Sequence, residues 1–259
     1  MIFDCFTFFN ELELLELRMK VMGPWVDRYV LVESTKTFTG KPKKLFFEEN
    51  KSRFDLSKII HVVVDDMPYS NVSNDYRKSK DNEIFQRECI KRGLSSASPE
   101  DIIIITDVDE IVDMNSVIKN LHLLENHISF ALKVKLFYLY VNYYSSDIPG
   151  PVVCKFKNLT SVQKFRVKMY RRIIKDTGGW HYSYLGGPEN IKLKIDSYSM
   201  VGFNNDKFTN NEHIAECLET GKDLFNRRKM NCKLVDVEGN SPEAMSDFVK
   251  KYPNFLKSK

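Results

Sequence analysis

The chain has 259 residues, of which 42% are hydrophobic and 29% are charged, and its formal net charge is +4. This length suffices for one large domain whose core needs no disulfide or metal to fold. Because the net charge is small and basic residues are spread along the chain, nucleic acid is not the expected partner. No stretch approaches the roughly 20 apolar residues of a membrane span, and no secretory signal is apparent. We therefore expect a cytoplasmic globular protein.

The first half shows alternating strand and helix patterns. Strands are predicted at residues 2–9, 28–33, 59–64 and at the isoleucine run 102–105. Helices are predicted at residues 79–92 and 115–125, and from Asn10, whose spacing to Glu13 resembles a capping box, to about Met22. This alternation favours an α/β fold with a parallel sheet covered by helices.

The second half is more aromatic and less regular. We predict a long, partly alternating segment at residues 128–144, strands at 152–157 and 164–171, and helices at 188–198, 211–219 and 242–251. No internal repeat or linker interrupts the chain, so we predict a single domain over residues 1–259. The five cysteines are odd in number and widely spaced, which favours free thiols over a disulfide framework.

An acidic triplet, Asp107, Asp109 and Glu110, follows the isoleucine run. Four β-branched residues in a row favour a strand buried on both faces, and open α/β sheets bind ligands beyond the carboxyl ends of such strands. Two carboxylates one residue apart repel each other unless a cation lies between them. A Mg²⁺ or Mn²⁺ ion shared with a diphosphate would satisfy both. The alternative is an acidic turn that caps the next helix.

Four sequence blocks resemble glycosyltransferase family 17. They are FFNELELLELR at residues 8–18, VES and TFTGKP within 32–42, TDVDEI at 106–111 and GWHYSY at 179–184. The resemblance implies a GT-A-like α/β domain, with a mostly parallel central sheet flanked by helices and an acceptor-side extension. It also implies inverting transfer of a sugar, N-acetylglucosamine, from a UDP-sugar donor to a glycan acceptor. Residues 1–127 would form the nucleotide-sugar-binding half and residues 128–259 the acceptor half.

Candidate metal ligands surround the acidic triplet. Asp109 is predicted to bind the cation, and Asp107 to bind it directly or through water. The cation would neutralise the leaving diphosphate as a Lewis acid. His181 follows a predicted turn at residues 178–180 and is a candidate for a further ligand. The alternative for His181 is a hydrogen-bonded histidine packed beside Trp180.

Polar residues near the ends of the strands are candidates for binding the donor: Asn10, Glu33, Asp65, Asp66, Arg87 and Asp107. Glu33 would accept a hydrogen bond from a ribose or sugar hydroxyl, and Asp65 or Asp66 would bind the base. Arg87 would bind the diphosphate, while a surface ion pair with Glu83 is its alternative. For Asn10 the alternative is a helix cap.

Inversion by direct displacement requires a base that takes the proton of the acceptor hydroxyl. Glu189 is the first choice, because two glycines precede it and Pro188 suits the first turn of a helix. The alternative is a carboxylate that merely favours the helix N-terminus. Asp176 and Glu212 are the further candidates for the base.

Two other classes of protein remain open from the sequence. A haloacid-dehalogenase-type phosphatase also carries Asp-x-Asp after a strand, but there the motif usually opens the domain and continues Gly-Thr. Here it lies past residue 100 and continues Glu-Ile. A sugar-binding protein that keeps the fold without turnover is the other alternative. The presence of both carboxylates favours activity.

Overall fold

The computed structural model describes residues 1–72, 74–167, 172–227 and 230–258. The strands are β1 (Ile2–Phe8), β2 (Arg28–Ser34), β3 (Ile59–Val64), β4 (Ile102–Asp107), β5 (Glu110–Val112), β6 (Ser129–Tyr138), β7 (Tyr143–Lys155), β8 (Arg172–Ser183) and β9 (Lys233–Leu234). The helices are α1 (Leu12–Met22), α2 (Phe46–Asn50), α3 (Tyr76–Glu88), α4 (Met114–Asn120), α5 (Val162–Arg166), α6 (Gly187–Ser197), α7 (Asp206–Thr209), α8 (Asn211–Thr220) and α9 (Met245–Lys251). Among the helices in these ranges, none is long and apolar enough to cross a membrane.

One sheet contains strands from both halves of the chain, in the order β3-β2-β1-β4-β7-β6-β8-β5, with β9 beside β7. Strands β3, β2, β1 and β4 are parallel to one another. In the second half β6 and β8 are parallel, whereas β7 is antiparallel to β4 and β6, and β5 is antiparallel to β8. The predicted α/β fold class is confirmed, and the antiparallel pairs make the sheet mixed.

Strand β1 lies in the middle of the parallel part, and both of its faces are covered. Phe3 and Cys5 pack into one core cluster, and Phe6 and Phe8 pack into the other, together with the leucines of α1. The isoleucines of β4 divide between the same two clusters. Near-continuous apolar runs are typical of parallel strands that are buried on both faces. The predicted isoleucine strand is therefore confirmed.

The turn after β1 lies beside the acidic triplet, because β1 and β4 pair in register up to Thr7 and Asp107. The Glu11 carboxylate shapes this turn by accepting hydrogen bonds from the N–H groups of Phe9, at 3.3 Å, and Asn10, at 3.1 Å. The capping box predicted at Asn10 is wrong, because Glu11 occupies the N-cap position of α1 and no side chain caps it.

The predicted turn at residues 178–180 is also wrong, because these residues belong to β8. Gly179 pairs with Val112 of β5 and has a φ angle of +152°. A Cβ atom at Gly179 would collide with the carbonyl oxygen of Ile111. This glycine therefore permits the close approach of two strands.

Three further segments differ from the sequence predictions. The segment 128–144 is divided between β6 and β7, and the predicted strand 152–157 is the end of β7 followed by a 3-10 turn. The strand predicted at 164–171 is wrong for its first part, where α5 begins after Ser161, whose hydroxyl accepts from the N–H of Lys164 at 3.2 Å. Residues 168–171 lie outside the described ranges.

All five cysteines are free, as predicted. Cys5, Cys89, Cys154 and Cys217 are buried, and Cys232 is half-buried. Burial raises the pKa of Cys154 to about 12, so this thiol stays protonated at neutral pH. These four buried thiols therefore behave as small apolar residues of the core.

The C-terminal segment 235–258 packs back onto α1. Its most buried side chains are Met245, Phe248 and Phe255. Lys251 and Tyr252 each contact the Glu16 carboxylate at 2.7 Å. Asn142 and Lys257 exchange two hydrogen bonds, at 2.9 and 3.0 Å. The segment therefore packs against α1 through apolar side chains and through the Glu16 carboxylate.

Removing one large side chain from this segment should destabilise the whole fold. Phe248→Ala is expected to lower the free energy of unfolding by about 3–5 kcal/mol, because it leaves a cavity in the core. Tyr76→Ala is the control, since Tyr76 is 50% exposed and surface changes usually stay within about 0.5 kcal/mol. Urea denaturation would measure both variants. Equal stability of the two would contradict the packing of the C-terminal segment.

Candidate active site

A cavity of about 430 Å³ opens at the carboxyl ends of β1 and β4. Its walls come from the turns after β1 and β2, from α3, α5 and α6, and from β8. The acidic, basic and histidine residues that line it are Glu11, Lys36, Lys43, Lys80, Glu83, Arg87, Asp107, Asp109, Arg166, His181 and Lys194. A cavity of this size accommodates a small-molecule ligand, and this edge of an open α/β sheet is where ligands usually bind.

Asp107 ends β4, and its two carboxylate oxygens face different arginines. Oδ1 lies 3.4 Å from Arg87, and Oδ2 lies 3.0 Å from Arg166. Burial alone would raise the pKa of Asp107, but Arg166 and Arg87 lower it to about 2. Asp107 is therefore an ionised carboxylate held in place by cations of the protein.

Glu110 fixes the orientation of Asp107. Its Oε2 accepts a hydrogen bond from the Asp107 N–H at 2.9 Å and lies 3.0 Å from Arg166. Strand β5 begins at Glu110 and separates the triplet from α4, whose cap is the side chain of Asp113. The alternative of an acidic turn capping the next helix is therefore wrong.

Asp109 lies between His181 and Lys194. Its Oδ1 is 3.5 Å from Nε2 of His181, and its Oδ2 is 2.9 Å from Nζ of Lys194. Burial alone would raise the pKa of Asp109, but Lys194 and His181 hold it well below its usual range. Burial would lower the pKa of His181, yet the neighbouring carboxylates of Asp109 and Glu110 raise it. These groups form one coupled set of charges.

Arg18 of α1 supports the triplet from the protein interior. It is fully buried and forms a two-pronged ion pair with Asp4 of β1, with Nε at 2.6 Å from Oδ2. Its Nη1 donates to the carbonyl oxygens of Asp107, Val108 and Glu110, at 3.3, 3.2 and 2.6 Å. Sequence reasoning missed this role, although Asp4 was a signal, since an acid inside an apolar strand needs a buried partner.

Arg87 of α3 forms the ion pair with Glu83 that was the alternative from the sequence, and it also lines the cavity. It lies 3.1 Å from Glu83, and its guanidinium also lines the cavity beside Asp107. Lys80 and the hydroxyl of Ser199 bind Glu83 as well. The buried Nε of Arg87 has no hydrogen-bond partner among the described residues. Unsatisfied guanidinium donors beside a cavity suit an anionic ligand such as a phosphate.

The structure brings Asp107, Asp109, Arg87 and His181 together at the cavity, but not the other predicted donor-binding residues. Glu33 is fully buried, where it accepts from the N–H of Phe47 at 3.2 Å. Asp65 and Asp66 are exposed at the end of β3, and Asp66 pairs with Arg92 at 2.8 Å. Asn10 contributes to a neighbouring, much smaller cavity.

The three predicted candidates for the base are exposed and lie outside the cavity lining. Glu189 is in the first turn of α6, and Glu212 is in the first turn of α8. Asp176 projects from β8, 3.9 Å from Lys119. The sequence around Glu189 and Glu212 correctly indicated helix starts, but none of the three residues lies beside the acidic triplet.

Sequence reasoning missed two cations of the cavity, Arg166 and Lys194. They contact Asp107 and Asp109 across 59 and 85 residues of sequence. Arg166 lies in the segment predicted as a strand. Lys194 lies on a helix that carries three other charged residues, Glu189, Lys192 and Asp196. No local pattern distinguished these two side chains from solvated ones.

The groups around Asp109 suit a divalent cation that is shared with a phosphate ligand. Carboxylate oxygens and an imidazole nitrogen are suitable donors for Mn²⁺, and Mg²⁺ is usually held by one or two carboxylates plus substrate phosphates. Within the described ranges, no group of three or more His, Cys, Asp or Glu residues is arranged to hold an ion alone.

Comparison with known families decides the classification. The model of glycosyltransferase family 17 matches residues 1–234. The chain belongs to glycosyltransferase family 17. The resemblance of the four sequence blocks is thereby confirmed, and a glycosyltransferase replaces the phosphatase alternative. The match includes every residue named above as lining the cavity.

Three curated relatives of this family 17 member are named beta-1,4-mannosyl-glycoprotein 4-beta-N-acetylglucosaminyltransferase. The Homo sapiens and Rattus norvegicus proteins are each 30% identical over 111 residues, which cover 39% of this chain and 20% of the relative. The Mus musculus protein is 29% identical over the same length. The matched part thus spans only about a fifth of these relatives.

Solved structures give weaker similarities. S. aureus TarS 1-349 is 12% identical with a TM-score of 0.38, covering 75% of this chain and 63% of that one. The Francisella tularensis 2-C-methyl-D-erythritol 4-phosphate cytidylyltransferase is 9% identical with a TM-score of 0.37, covering 67% and 90%. At these TM-scores the similarity is too weak to indicate a function.

Breaking the buried ion pair should destabilise the protein strongly. Asp4→Asn is expected to lower the free energy of unfolding by about 3–5 kcal/mol, because it leaves the Arg18 charge buried without compensation. Asp247→Asn is the control, since it removes an exposed pair with Lys20 that contributes at most about 1 kcal/mol. Urea denaturation at pH 7 compares the two. A change in the free energy of unfolding as small as that of the control would contradict the prediction. It would show that groups other than Asp4 compensate the Arg18 charge.

Proposed function

We propose that this family 17 member transfers N-acetylglucosamine from a UDP-sugar to a hydroxyl of a glycan acceptor, with inversion at the anomeric carbon. The observation that carries the proposal is the cavity at the end of β4, where Asp107 and Asp109 face cations from α3, α5 and α6. The names of the curated relatives support the choice of sugar.

The charge of the cavity supports an anionic donor. Six lysines and arginines line it: Lys36, Lys43, Lys80, Arg87, Arg166 and Lys194. Four carboxylates line it: Glu11, Glu83, Asp107 and Asp109. The excess of positive charge favours a ligand with more than one negative charge, and guanidinium groups bind phosphate oxygens through paired N–H donors. A nucleoside diphosphate has this chemistry.

A divalent cation, Mn²⁺ or Mg²⁺, is part of the proposal. Asp109 and His181 would hold it, with Asp107 as a ligand directly or through water. Bound there, such an ion would stabilise the negative charge that develops on the leaving diphosphate. Arg87 and Arg166 keep Asp107 ionised and direct its carboxylate to the cavity, while Glu110 fixes its backbone. These residues act by position and charge.

Glu11 is the proposed base for the acceptor hydroxyl. Three of the cavity carboxylates, Glu83, Asp107 and Asp109, each contact two positively charged or protonatable side chains. Among the described residues Glu11 has one ion pair, with Lys194 at 3.5 Å from its Oε1. Since Oε1 lies at the cavity wall without a second ion-pair partner, it can contact an acceptor hydroxyl. This proposal replaces Glu189, Asp176 and Glu212, which are remote from the cavity lining.

Loss of the Asp109 carboxylate should slow transfer strongly without unfolding the protein. Asp109→Asn is expected to slow release of UDP from UDP-N-acetylglucosamine by roughly 10²–10³-fold, because charge on the leaving group is no longer stabilised. The assay contains Mn²⁺ and a panel of glycan acceptors. Asp65→Asn, an exposed acid after β3, is the control and should keep the wild-type rate. A wild-type protein that binds UDP but never releases it from the donor would be a sugar-binding protein without turnover.

A second prediction concerns the base. Glu11→Gln is expected to lower kcat by roughly 10²–10⁴-fold, with little change in KM for the donor, because its amide can still accept from the turn after β1. The matched controls Glu189→Gln, Asp176→Asn and Glu212→Gln should transfer at the wild-type rate. Loss of transfer in one of these three, with Glu11→Gln active, would restore the base assigned from the sequence.

A further inference from the structure

We propose that Lys194 takes the place of the divalent cation on Asp109 in the free protein, so that the cation binds only after Lys194 moves away. The inference rests on the proposed function, because it concerns the same carboxylate and the same ion. It adds a residue that controls cation affinity and links it to the donor.

The ammonium group of Lys194 is held at several points. It lies 2.9 Å from Oδ2 of Asp109 and 3.5 Å from Oε1 of Glu11. It also lies 5.4 Å from the centre of the Tyr184 ring, within cation–π distance. The side chain is only 25% exposed. Lys194 is therefore a fixed countercharge of Asp109, unlike a surface lysine that samples many rotamers.

The position of Lys194 conflicts with a cation on the same carboxylate. Oδ1 of Asp109 faces His181, and Oδ2 is taken by Lys194. An ion bound to Asp109 at the usual oxygen distance, about 2.1 Å, would lie within a few ångströms of the ammonium group. Like charges at that separation repel strongly in a buried site. The ion and Lys194 therefore compete for Asp109.

Lys194 must leave Asp109 if the ion is to bind there, because its ammonium group occupies Oδ2. Away from Asp109, the ammonium group needs another negative partner. The cavity that it lines is where the donor diphosphate would supply one. Since coupling between two ligands is reciprocal, nucleotide and cation should strengthen each other's binding.

The test is a Mn²⁺ titration of the full chain without nucleotide, in which free Mn²⁺ is measured by electron paramagnetic resonance. Lys194→Met should bind Mn²⁺ at least tenfold more tightly than the wild type. Lys194→Arg keeps the charge and should stay within twofold of the wild type. Lys192→Met is the control, because Lys192 lies on the same helix but bonds Asn211 and does not line the cavity. If Lys194→Met has a markedly lower melting temperature than the wild type, Lys194→Gln takes its place.

A second measurement repeats the titration with UDP present. UDP should raise the Mn²⁺ affinity of the wild type more than that of Lys194→Met, because only the wild type has a competing ammonium to displace.

Equal Mn²⁺ affinity of the wild type and Lys194→Met would overturn the inference. An equal increase in Mn²⁺ affinity in Lys194→Met and Lys194→Arg would overturn it as well. Asp109→Asn separates the two proposals. If it weakens Mn²⁺ binding while Lys194→Met changes nothing, the cation site stands and the inference alone fails. If Asp109→Asn has no effect, the cation site fails as well.

Discussion

The guanidinium of Arg18 lies where β1, α1 and the loop after β4 meet. Asp4 neutralises its charge on one side. On the other side, carbonyl oxygens of the loop accept hydrogen bonds from its N–H groups. The ring of Phe6 lies 4.5 Å away and excludes water. Since arginine stays protonated in proteins, this group must be neutralised wherever it is buried. A buried ion pair adds little net stability, so its main effect here is to fix the loop that carries both aspartates.

The two halves of the chain contribute opposite charges to the cavity. The acidic triplet ends a strand of the first half, while His181, Arg166 and Lys194 come from β8, α5 and α6 in the second half. Neither set would be stable alone, because each would leave like charges close together in a partly buried site. The cavity therefore depends on the single sheet that joins both halves, and not on two independent units.

Apolar patterns were sufficient to predict most of the secondary structure, and the acidic pair followed from its place after the isoleucine strand. Patterns of this kind report burial within one element. They do not report which charged side chain of a distant element reaches the cavity, which is why Arg166 and Lys194 were not found. Glu189 shows that a correct prediction of an element does not place its side chains. Its helix start was predicted correctly, but its side chain is exposed and does not line the cavity. Only the role of Arg18 had a signal in the sequence. Asp4 lies inside the apolar strand β1 and therefore needs a buried cationic partner.

The region shared with family 17 ends at residue 234, whereas the cover of α1 continues to residue 258. A fragment designed to the family boundary would therefore lack Met245, Phe248 and Phe255 while keeping the leucines that they shield. Its hydrophobic surface would be newly open to solvent on the helix that carries Arg18. Such a fragment would be prone to aggregate. The useful limit for expressing this protein therefore lies beyond the residues that match the family.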